Sequence, residues 1–134
     1  METEHFIGKV SLRALIERDD QVFVCRGIGD IVWQLPGGRM NIGEEPKEGL
    51  AREISEELGI TIHIIRPLFS QTFVHMRDRV PQLLLVYLCS MGQQEMIIDS
   101  AETEESKWLF REELKNLQMY EDCRNAVDEF LKDK

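Results

Sequence analysis

Alternating apolar and polar positions predict strands in the first third of the chain. The stretches Phe6–Ile16 and Gln21–Arg26 are rich in β-branched and aromatic residues, and Asp19-Asp20 between them is typical of a turn. A shorter apolar stretch, Val32–Leu35, predicts a third strand. It leads into Leu35-Pro36-Gly37-Gly38, which predicts a loop whose backbone can approach a ligand closely.

Residues spaced three or four apart then predict a helix. The apolar members of this repeat are Leu50, Ala51, Ile54 and Leu58. Pro46 suits the first helical turn, and Gly59 suits the position just after the last turn. The pattern therefore predicts a helix over Pro46–Leu58 that packs one face against a core.

The rest of the chain is predicted to add strands and a helical C-terminal region. The β-rich stretches are Ile60–Ile65, Leu68–Met76, Pro81–Cys89 and Lys107–Phe110. The second and third of these are expected to form a hairpin that turns through Arg77-Asp78-Arg79. From Arg111 the pattern becomes helical, most clearly over Tyr120–Leu131. Strands and helices mixed in this order predict an α/β or α+β fold in a single domain, residues 1–134.

The charge of the chain limits its partners. The 134 residues include 25 acidic and 16 basic ones, a formal net charge of -9, which argues against broad binding to nucleic-acid phosphates. A small phosphorylated ligand is compatible with an acidic site, because metal ions can bridge carboxylates to phosphates.

The apolar runs and cysteines predict the cellular setting. The longest apolar run, Leu83–Cys89, is far too short to span a bilayer, and residues 1–5 lack a signal-peptide pattern. Cys25, Cys89 and Cys123 are widely spaced in mostly apolar surroundings, which predicts reduced core thiols and not disulfides or a zinc site. We expect a cytoplasmic protein without membrane partners, as a monomer or a homodimer.

Three glutamates of the predicted helix share one face. Glu53, Glu56 and Glu57 are separated by three and four positions, so their carboxylates crowd a narrow sector. Like charges at this spacing cost an isolated helix roughly 0.2–0.5 kcal/mol per pair, and a bound cation would relieve that repulsion. Carboxylate oxygens suit magnesium, manganese or calcium better than zinc. A solvated acidic surface is the alternative for these residues taken alone.

The wider spacing favours the metal site. The fixed positions are Gly38, Glu44, Arg52-Glu53, Ile54, Glu56-Glu57, Gly59 and Ile60. This pattern resembles the Nudix box, the signature of the Nudix hydrolases, and each position holds the residue type that the box requires. The resemblance implies the Nudix fold, a mixed β-sheet between helices.

The resemblance also implies the metal ligands. Glu53, Glu56 and Glu57 would hold Mg²⁺ or Mn²⁺, with Glu57 as the indispensable ligand. The backbone carbonyl of Gly37 or Gly38 would be a further ligand.

Arg52 is expected to orient these carboxylates. It can pair with Glu48 or Glu56 along the helix and with Glu44 across the loop, so Glu44 would support the site structurally.

The general base is left open between two glutamates. Family members differ in which residue activates the water, and Glu53 and Glu102 are the candidates here. Glu102 lies in the acidic segment Asp99–Glu105, where Nudix enzymes often carry an additional glutamate; Glu104 and Glu105 are alternatives. A solvated acidic loop is an equally consistent interpretation of each of these three residues.

Two arginines are candidate phosphate ligands. Arg26 resembles an arginine that some members use on a substrate phosphate, and Arg39 directly follows the two glycines. An ordinary surface role is the alternative for both, and for Arg39 it is slightly preferred.

Base recognition would need an aromatic face. The available rings are Trp33, Phe73, His75 and Tyr87. Core or sheet positions are the alternative for most of them, and structural roles are favoured over metal binding for His63 and His75.

The resulting prediction is a metal-dependent hydrolase that cuts a pyrophosphate bond in a nucleoside diphosphate linked to another group. A nucleoside triphosphate or modified nucleotide is the first choice of substrate, and a nucleotide sugar or ADP-ribose-type molecule is the alternative.

Many ADP-ribose-cleaving members carry a proline about fifteen residues beyond the box, where this chain has His75. Many dinucleoside polyphosphate-cleaving members carry a nearby tyrosine that is absent here. A non-catalytic Nudix-fold nucleotide-binding module is the alternative from another class, and the complete set of box glutamates argues against it.

Overall fold

The computed structural model describes residues 4–74 and 78–132 as a six-stranded sheet with three helices. The strands are β1 (Lys9–Arg18), β2 (Gln21–Gly27), β3 (Gly37–Arg39), β4 (His63–Val74), β5 (Pro81–Ser90) and β6 (Thr103–Phe110). The helices are α1 (Pro46–Leu58), α2 (Arg111–Leu114) and α3 (Glu121–Lys132). This mixture confirms the predicted α/β (α+β) class. None of the helices in these ranges is long and apolar enough to cross a membrane.

Strand β1 lies at the centre of the sheet. The order is β4-β5-β1-β2-β6, with β3 paired to β1 beside this path. Strands β1 and β5 run parallel, from Lys9 opposite Gln82 to Ile16 opposite Cys89, and the other strand pairs are antiparallel. The positive φ angles of Asp19 (52°) and Asp20 (64°) form the predicted turn into β2.

Alternate residues of β1 pack against two different layers, because side chains along a strand point to opposite faces. On one face, Leu12, Ala14 and Ile16 belong to the same buried cluster as Leu50, Ile54 and Leu58 of α1. On the other face, Leu15 belongs to a cluster that includes Cys123, Val127 and Phe130 of α3. The sheet is therefore sandwiched between helices, as predicted.

Helix α1 begins and ends at the predicted residues. Pro46 occupies the first turn, and the backbone N–H of Glu45 donates to the carboxylate of Glu48 at 3.1 Å. Gly59 has a φ of 65°, and its N–H donates to the Ser55 carbonyl. This left-handed conformation favours glycine and ends the helix.

Strands in the N-terminal half differ from the predicted ranges. Strand β1 covers Lys9–Arg18, where Phe6–Ile16 was predicted. Val32–Leu35 forms only isolated bridges at Trp33 and Gln34, and the strand instead lies in the predicted glycine loop as β3. Gly37 and Gly38 pair with Arg13 and Leu12 of β1, which extends the glycine backbone along the sheet.

Further differences concern β4 and β6. The predicted stretches Ile60–Ile65 and Leu68–Met76 form one strand, β4, with register shifts on both sides of Pro67 where the β5 pairing is interrupted. Strand β6 begins at Thr103 and not at Lys107, so the predicted acidic loop is partly strand. Met76 and Arg77 of the predicted hairpin lie outside the described residues.

The three cysteines are free and buried, as predicted. Burial raises the pKa of the thiols of Cys25 and Cys89 to about 12 and that of Cys123 to about 11. The protonated thiol behaves as a small apolar side chain, so these residues fill the core and are unreactive at neutral pH.

Truncating Ile54 should destabilise the packing of α1 on the sheet. Its side chain is fully buried, so Ile54→Ala is expected to lower the free energy of unfolding by about 2–5 kcal/mol. Urea unfolding measures this loss. Ser55→Ala, at an exposed position on the same helix, should stay within about 0.5 kcal/mol of the wild type; equal losses in both variants would contradict the assigned burial.

Candidate functional site

The acidic face of α1 lies against the backbone of β3. The backbone N–H of Gly37 donates to Oε2 of Glu57 at 3.3 Å. Both Glu53 and Glu57 are partly buried, while Glu56 is largely exposed. The predicted carboxylate face therefore exists, and two of its three members contact the glycine strand directly.

Two adjacent glycines make this contact possible for different reasons. A Cβ on Gly37 would lie 1.9 Å from the Leu12 carbonyl oxygen of β1, and its φ of 149° is rare for other residues. A Cβ on Gly38 would lie 2.2 Å from Oε2 of Glu53. Gly37 thus lets β3 approach β1, and Gly38 leaves space for the carboxylate of Glu53.

Arg52 connects the loop before α1 to the acidic face. Its Nε and Nη2 donate to the two oxygens of Glu44 at 2.7 and 3.0 Å, which is a bidentate ion pair. Its Nη1 contacts Glu53 at 2.9 Å and Glu56 at 3.4 Å. The predicted pairings with Glu44 and Glu56 are confirmed, whereas the alternative partner Glu48 caps the helix instead.

Arg52 also reaches β3, and this contact was not predicted. Its Nη2 donates to the Arg39 carbonyl at 3.1 Å. One guanidinium therefore fixes the loop, the strand and two carboxylates of the helix relative to one another.

Burial sets the charge state of Glu57. Desolvation raises the pKa of its carboxyl group to about 7, the charges of Glu102 and Glu53 add to this increase, and Arg13 and the Gly37 hydrogen bond oppose it. The thiol of Cys25 lies 4.0 Å from Oε1 of Glu57. A carboxylate that is this costly to ionise would be stabilised by a nearby cation.

The donor set of this face fits a hard divalent cation. Glu53, Glu56 and Glu57 supply carboxylate oxygens, and the adjoining β3 backbone supplies carbonyl groups. As the side chains stand, no three Asp, Glu, His or Cys residues in the described ranges converge on one point. Arg52 occupies oxygens of Glu53 and Glu56, so a cation there would compete with this guanidinium.

Arg26 is held by acidic residues of β6. Its guanidinium pairs with Glu104 at 3.0 Å and with Glu105 at 2.9 Å, and it donates to the Asp30 carbonyl. Glu104 and Glu105, the two alternatives to Glu102, are therefore both engaged in ion pairs with Arg26. Glu102 itself is exposed, and its charge adds to the increase in the pKa of the Glu57 carboxyl group.

The remaining candidates for phosphate and base binding differ in how exposed their side chains are. Arg39 is half exposed and pairs weakly with Asp78 at 3.8 Å. Trp33 and Tyr87 are buried, whereas Phe73 is partly exposed. His75 lies outside the described residues.

A cleft of about 700 Å³ is lined by Gly38, against which Glu53 packs, although none of the three helix carboxylates is among the described residues that line it. Its wall includes Ser11 and Arg13 of β1, Phe73 of β4, Gln82 of β5 and Asn125 of α3. Arg39 also lines it, which places this predicted arginine, unlike Arg26, at the cleft.

Sequence reasoning missed the polar residues of the cleft floor. Ser11 and Arg13 continue the face of β1 that Leu15 buries against α3, while the opposite face is apolar from Val10 to Ile16. Polar residues on one end of an otherwise buried strand face are the signal that could have identified them.

Comparisons with known proteins agree with this geometry. The family model for the NUDIX domain matches residues 9–130. An RNA pyrophosphohydrolase of Photobacterium profundum is 33% identical over 91 residues, which cover 65% of this chain and 52% of that protein. YjhB of Bacillus subtilis, provisionally named an ADP-ribose pyrophosphatase, is 34% identical over 98 residues, covering 69% and 47%. The chain thus spans about half the length of these curated relatives.

Solved structures show the same fold. A MutT NUDIX hydrolase from Burkholderia pseudomallei superposes with a TM-score of 0.79 at 24% identity, covering 90% of this chain and 96% of that one. A MutT protein from Bacillus halodurans gives 0.79 at 23% identity, covering 92% and 82%. The predicted Nudix arrangement of a mixed sheet between helices is confirmed.

Adding a methyl group at the two glycines should separate folding from metal binding. Gly37→Ala is expected to cost at least about 2 kcal/mol of unfolding free energy, because its Cβ meets the backbone of β1. Gly38→Ala should cost less than about 1 kcal/mol, because the end of the Glu53 side chain can move away. That movement should weaken Mn²⁺ binding about tenfold. Urea unfolding and calorimetric Mn²⁺ titration measure the two effects; unchanged Mn²⁺ affinity in Gly38→Ala would exclude Glu53 as a ligand.

The Glu44–Arg52 pair should make stability depend on acid pH. Hydrogen bonds from Arg52, then from the Asn41 N–H, lower the pKa of the Glu44 carboxyl group from 4.5 to about 2. A lowered pKa in the folded state stabilises the protein above pH 4.5, and this contribution is lost as the pH falls towards about 2. Glu44→Gln removes it.

Urea unfolding at a series of acid pH values tests this linkage. The difference between wild type and Glu44→Gln should shrink as the pH falls through that window. Glu95→Gln, at an exposed position outside the network, is the matched control and should keep the wild-type pH dependence. A Glu44→Gln profile parallel to that of the wild type would show that the pair does not hold in solution.

Proposed function

The chain belongs to the Nudix family, and on that premise we propose that it is a divalent-metal-dependent hydrolase of a pyrophosphate bond. The substrate is a nucleoside diphosphate linked to another group. A nucleoside triphosphate or a modified nucleotide is the first choice.

One observation carries this proposal: the acidic face of α1 is built onto β3 and adjoins the cleft. Glu57 accepts from the Gly37 N–H, Glu53 packs on Gly38, and Gly38 also lines the cleft. A ligand in the cleft that extends past Gly38 would therefore bring its phosphates next to these carboxylates. A merely solvated acidic helix would not need two glycines to bring its carboxylates against a strand.

Glu53, Glu56 and Glu57 would hold Mg²⁺ or Mn²⁺, together with a carbonyl of Gly37 or Gly38. When bound, such an ion stabilises negative charge on phosphoryl oxygens and orients water. Arg52 positions the carboxylates, since it contacts Glu53 and Glu56 while Glu44 anchors it.

The reaction requires a base for the attacking water. Glu53 or Glu102 would accept its proton while the water oxygen bonds to one phosphorus and the bridging P–O bond breaks. Glu53 lies at Gly38 beside the cleft, whereas Glu102 approaches from the segment before β6. Two phosphorylated products result, because each keeps one side of the pyrophosphate.

The arginines divide into two roles under this proposal. Arg39 lines the cleft and is half exposed, so it can bind a substrate phosphate once it leaves Asp78. Arg26 would need to leave both Glu104 and Glu105 to do the same. We therefore place Arg39 ahead of Arg26 as the phosphate ligand, which reverses the order that the sequence favoured.

The names of the relatives support the proposed type of cleaved bond more strongly than they support any one substrate. The names RNA pyrophosphohydrolase and ADP-ribose pyrophosphatase share pyrophosphate hydrolysis but differ in the attached group. An ADP-ribose-type or nucleotide-sugar substrate is the second candidate on the basis of the second name. A non-catalytic binding module ranks below both, because every glutamate of the box is present.

Replacing Glu57 should abolish turnover. With Mg²⁺ or Mn²⁺, nucleoside triphosphates, modified triphosphates, nucleotide sugars and ADP-ribose are screened by phosphate release and product mass. Glu57→Gln should lower kcat/KM at least about 100-fold, because an amide cannot replace a charged metal ligand.

Glu48→Gln is the matched control on the same helix. Glutamine can also accept from the Glu45 N–H, so this variant should retain wild-type turnover. Equal turnover in Glu57→Gln and wild type would remove Glu57 from the site. A folded wild-type protein that binds Mn²⁺ but turns over none of these substrates would favour the binding module.

A further inference from the structure

Two buried polar side chains meet at the cleft. Ser11 is 5% exposed and Gln82 is 4% exposed, and they are the buried polar residues found within the described ranges. Both line the cleft. Burial of a polar group is costly unless it has a hydrogen-bond partner, so their shared position indicates a function.

The amide nitrogen of Gln82, Nε2, has no hydrogen-bond partner in the part of the chain that the structure describes. This nitrogen is also buried. An unsatisfied buried donor destabilises the protein, and a ligand that supplies an acceptor would remove this cost. The wall of the cleft therefore presents an unused donor to its occupant.

Gln82 lies at the end of the cleft away from the carboxylates. Arg13 pairs with Gly37, whose N–H reaches Glu57, so Arg13 marks the carboxylate end. In the parallel pairing of β1 with β5, Gln82 lies opposite Lys9, which comes four residues before Arg13 in β1. At 3.2–3.4 Å per residue this separation is roughly 13 Å along the strand.

The far end also offers an aromatic surface. Phe73 is the residue opposite Gln82 on the neighbouring strand β4, and it lines the same cleft. At the carboxylate end, Nη1 of Arg13 donates to the Leu35 carbonyl at 3.0 Å, while its buried Nε has no hydrogen-bond partner among the described residues. A ring and an amide donor at one end, with cationic and metal-binding groups at the other, match the two ends of a nucleotide.

We propose that Gln82 selects the nucleobase of the substrate, favouring bases with a carbonyl oxygen over bases with an amino group at the edge farthest from the sugar. This inference rests on the proposed function in taking the ligand to be a nucleotide. With the phosphates at the carboxylates, the base enters the far end with its sugar-bearing edge behind it. The leading edge carries the substituent at purine position 6 or pyrimidine position 4.

The chemistry of that substituent decides the preference. In the orientation of the structure, Nε2 of Gln82 is the unpaired group and donates, so it pairs with a carbonyl oxygen. An amino group would place two donors against each other unless the amide turned to present its Oε1. The expected substrates contain hypoxanthine, guanine, uracil or thymine, with the ring packed on Phe73. A specificity set by one buried amide should respond to changing that amide alone.

Matched ligand pairs test this without catalysis. The 5′-monophosphates of inosine and adenosine differ at position 6, and those of uridine and cytidine differ at position 4. Calorimetry with Mg²⁺ present gives the Kd of each for wild type, Gln82→Met, Gln82→Glu and the control Gln93→Glu, which makes the same charge change at an exposed position. No turnover interferes, because a monophosphate has no pyrophosphate bond.

The wild type should bind the carbonyl member of each pair about tenfold more tightly. Gln82→Met should bring both ratios close to one, Gln82→Glu should favour the amino members, and Gln93→Glu should match the wild type. Thermal melting checks the folding of each variant, and Gln82→Met decides the outcome if the buried charge of Gln82→Glu prevents folding.

Equal wild-type affinities, a preference for the amino members, wild-type ratios in Gln82→Met or no binding of any monophosphate would each overturn the proposal. Its failure is distinct from failure of the hydrolase assignment, because the assay needs no turnover. Triphosphate hydrolysis without base discrimination would reject only the role of Gln82. Base discrimination without hydrolysis would reject only the enzyme.

Discussion

The close approach of three backbone segments at Gly37-Gly38 is the constraint on which the site depends. Strand β3 lies between β1 and the acidic face of α1, where a single added methyl group would meet either the Leu12 carbonyl or the Glu53 carboxylate. Because there is no side chain here, a polar helix face can lie directly on a strand. Arg52 then connects two of these segments, α1 and β3, to the loop before the helix by contacts to Glu44, Glu53 and the Arg39 carbonyl. The space at the two glycines and the ion pairs of Arg52 thus together fix the position of α1 relative to β3.

The two faces of the sheet differ: one packs against α1, and the other faces α3 and carries the cleft. The α1 face of β1 is apolar from Leu12 to Ile16 and supports the helix. The α3 face is apolar at Leu15 but polar at Arg13 and Ser11, and the cleft opens there. The same strand therefore stabilises the fold through one set of residues and contacts the cleft through the alternate set, a division that the two-residue repeat of a strand makes possible.

The local parts of this structure could be predicted from sequence, and the parts that depend on distant pairing could not. Helix α1 has its own start, repeat and stop, so a helix from about Pro46 to Leu58 could be predicted, and the spacing of Glu44, Arg52 and the three helix glutamates indicated a candidate site there. Strand β3 was mistaken for a loop because glycines carry no strand preference of their own, and its pairing with β1 is a tertiary effect. Gln82 was missed for a related reason. It is one glutamine in an apolar stretch, and only the register of β5 against β1 and β4 shows where it lies.

The parallel pairing of β1 with β5 also determines the order in which the protein can fold during synthesis. Strand β1 leaves the ribosome early, but its parallel partner is made only after α1 and β4. Until then β1 has an open edge, and the buried apolar residues on its two faces lack most of their packing partners. The helix that carries the acidic residues can form early from local interactions, but its position is fixed late. A nascent chain that stops before β5 would therefore hold every residue of the box and still lack the site, and its uncovered strand edge would make it a target for chaperones and proteases.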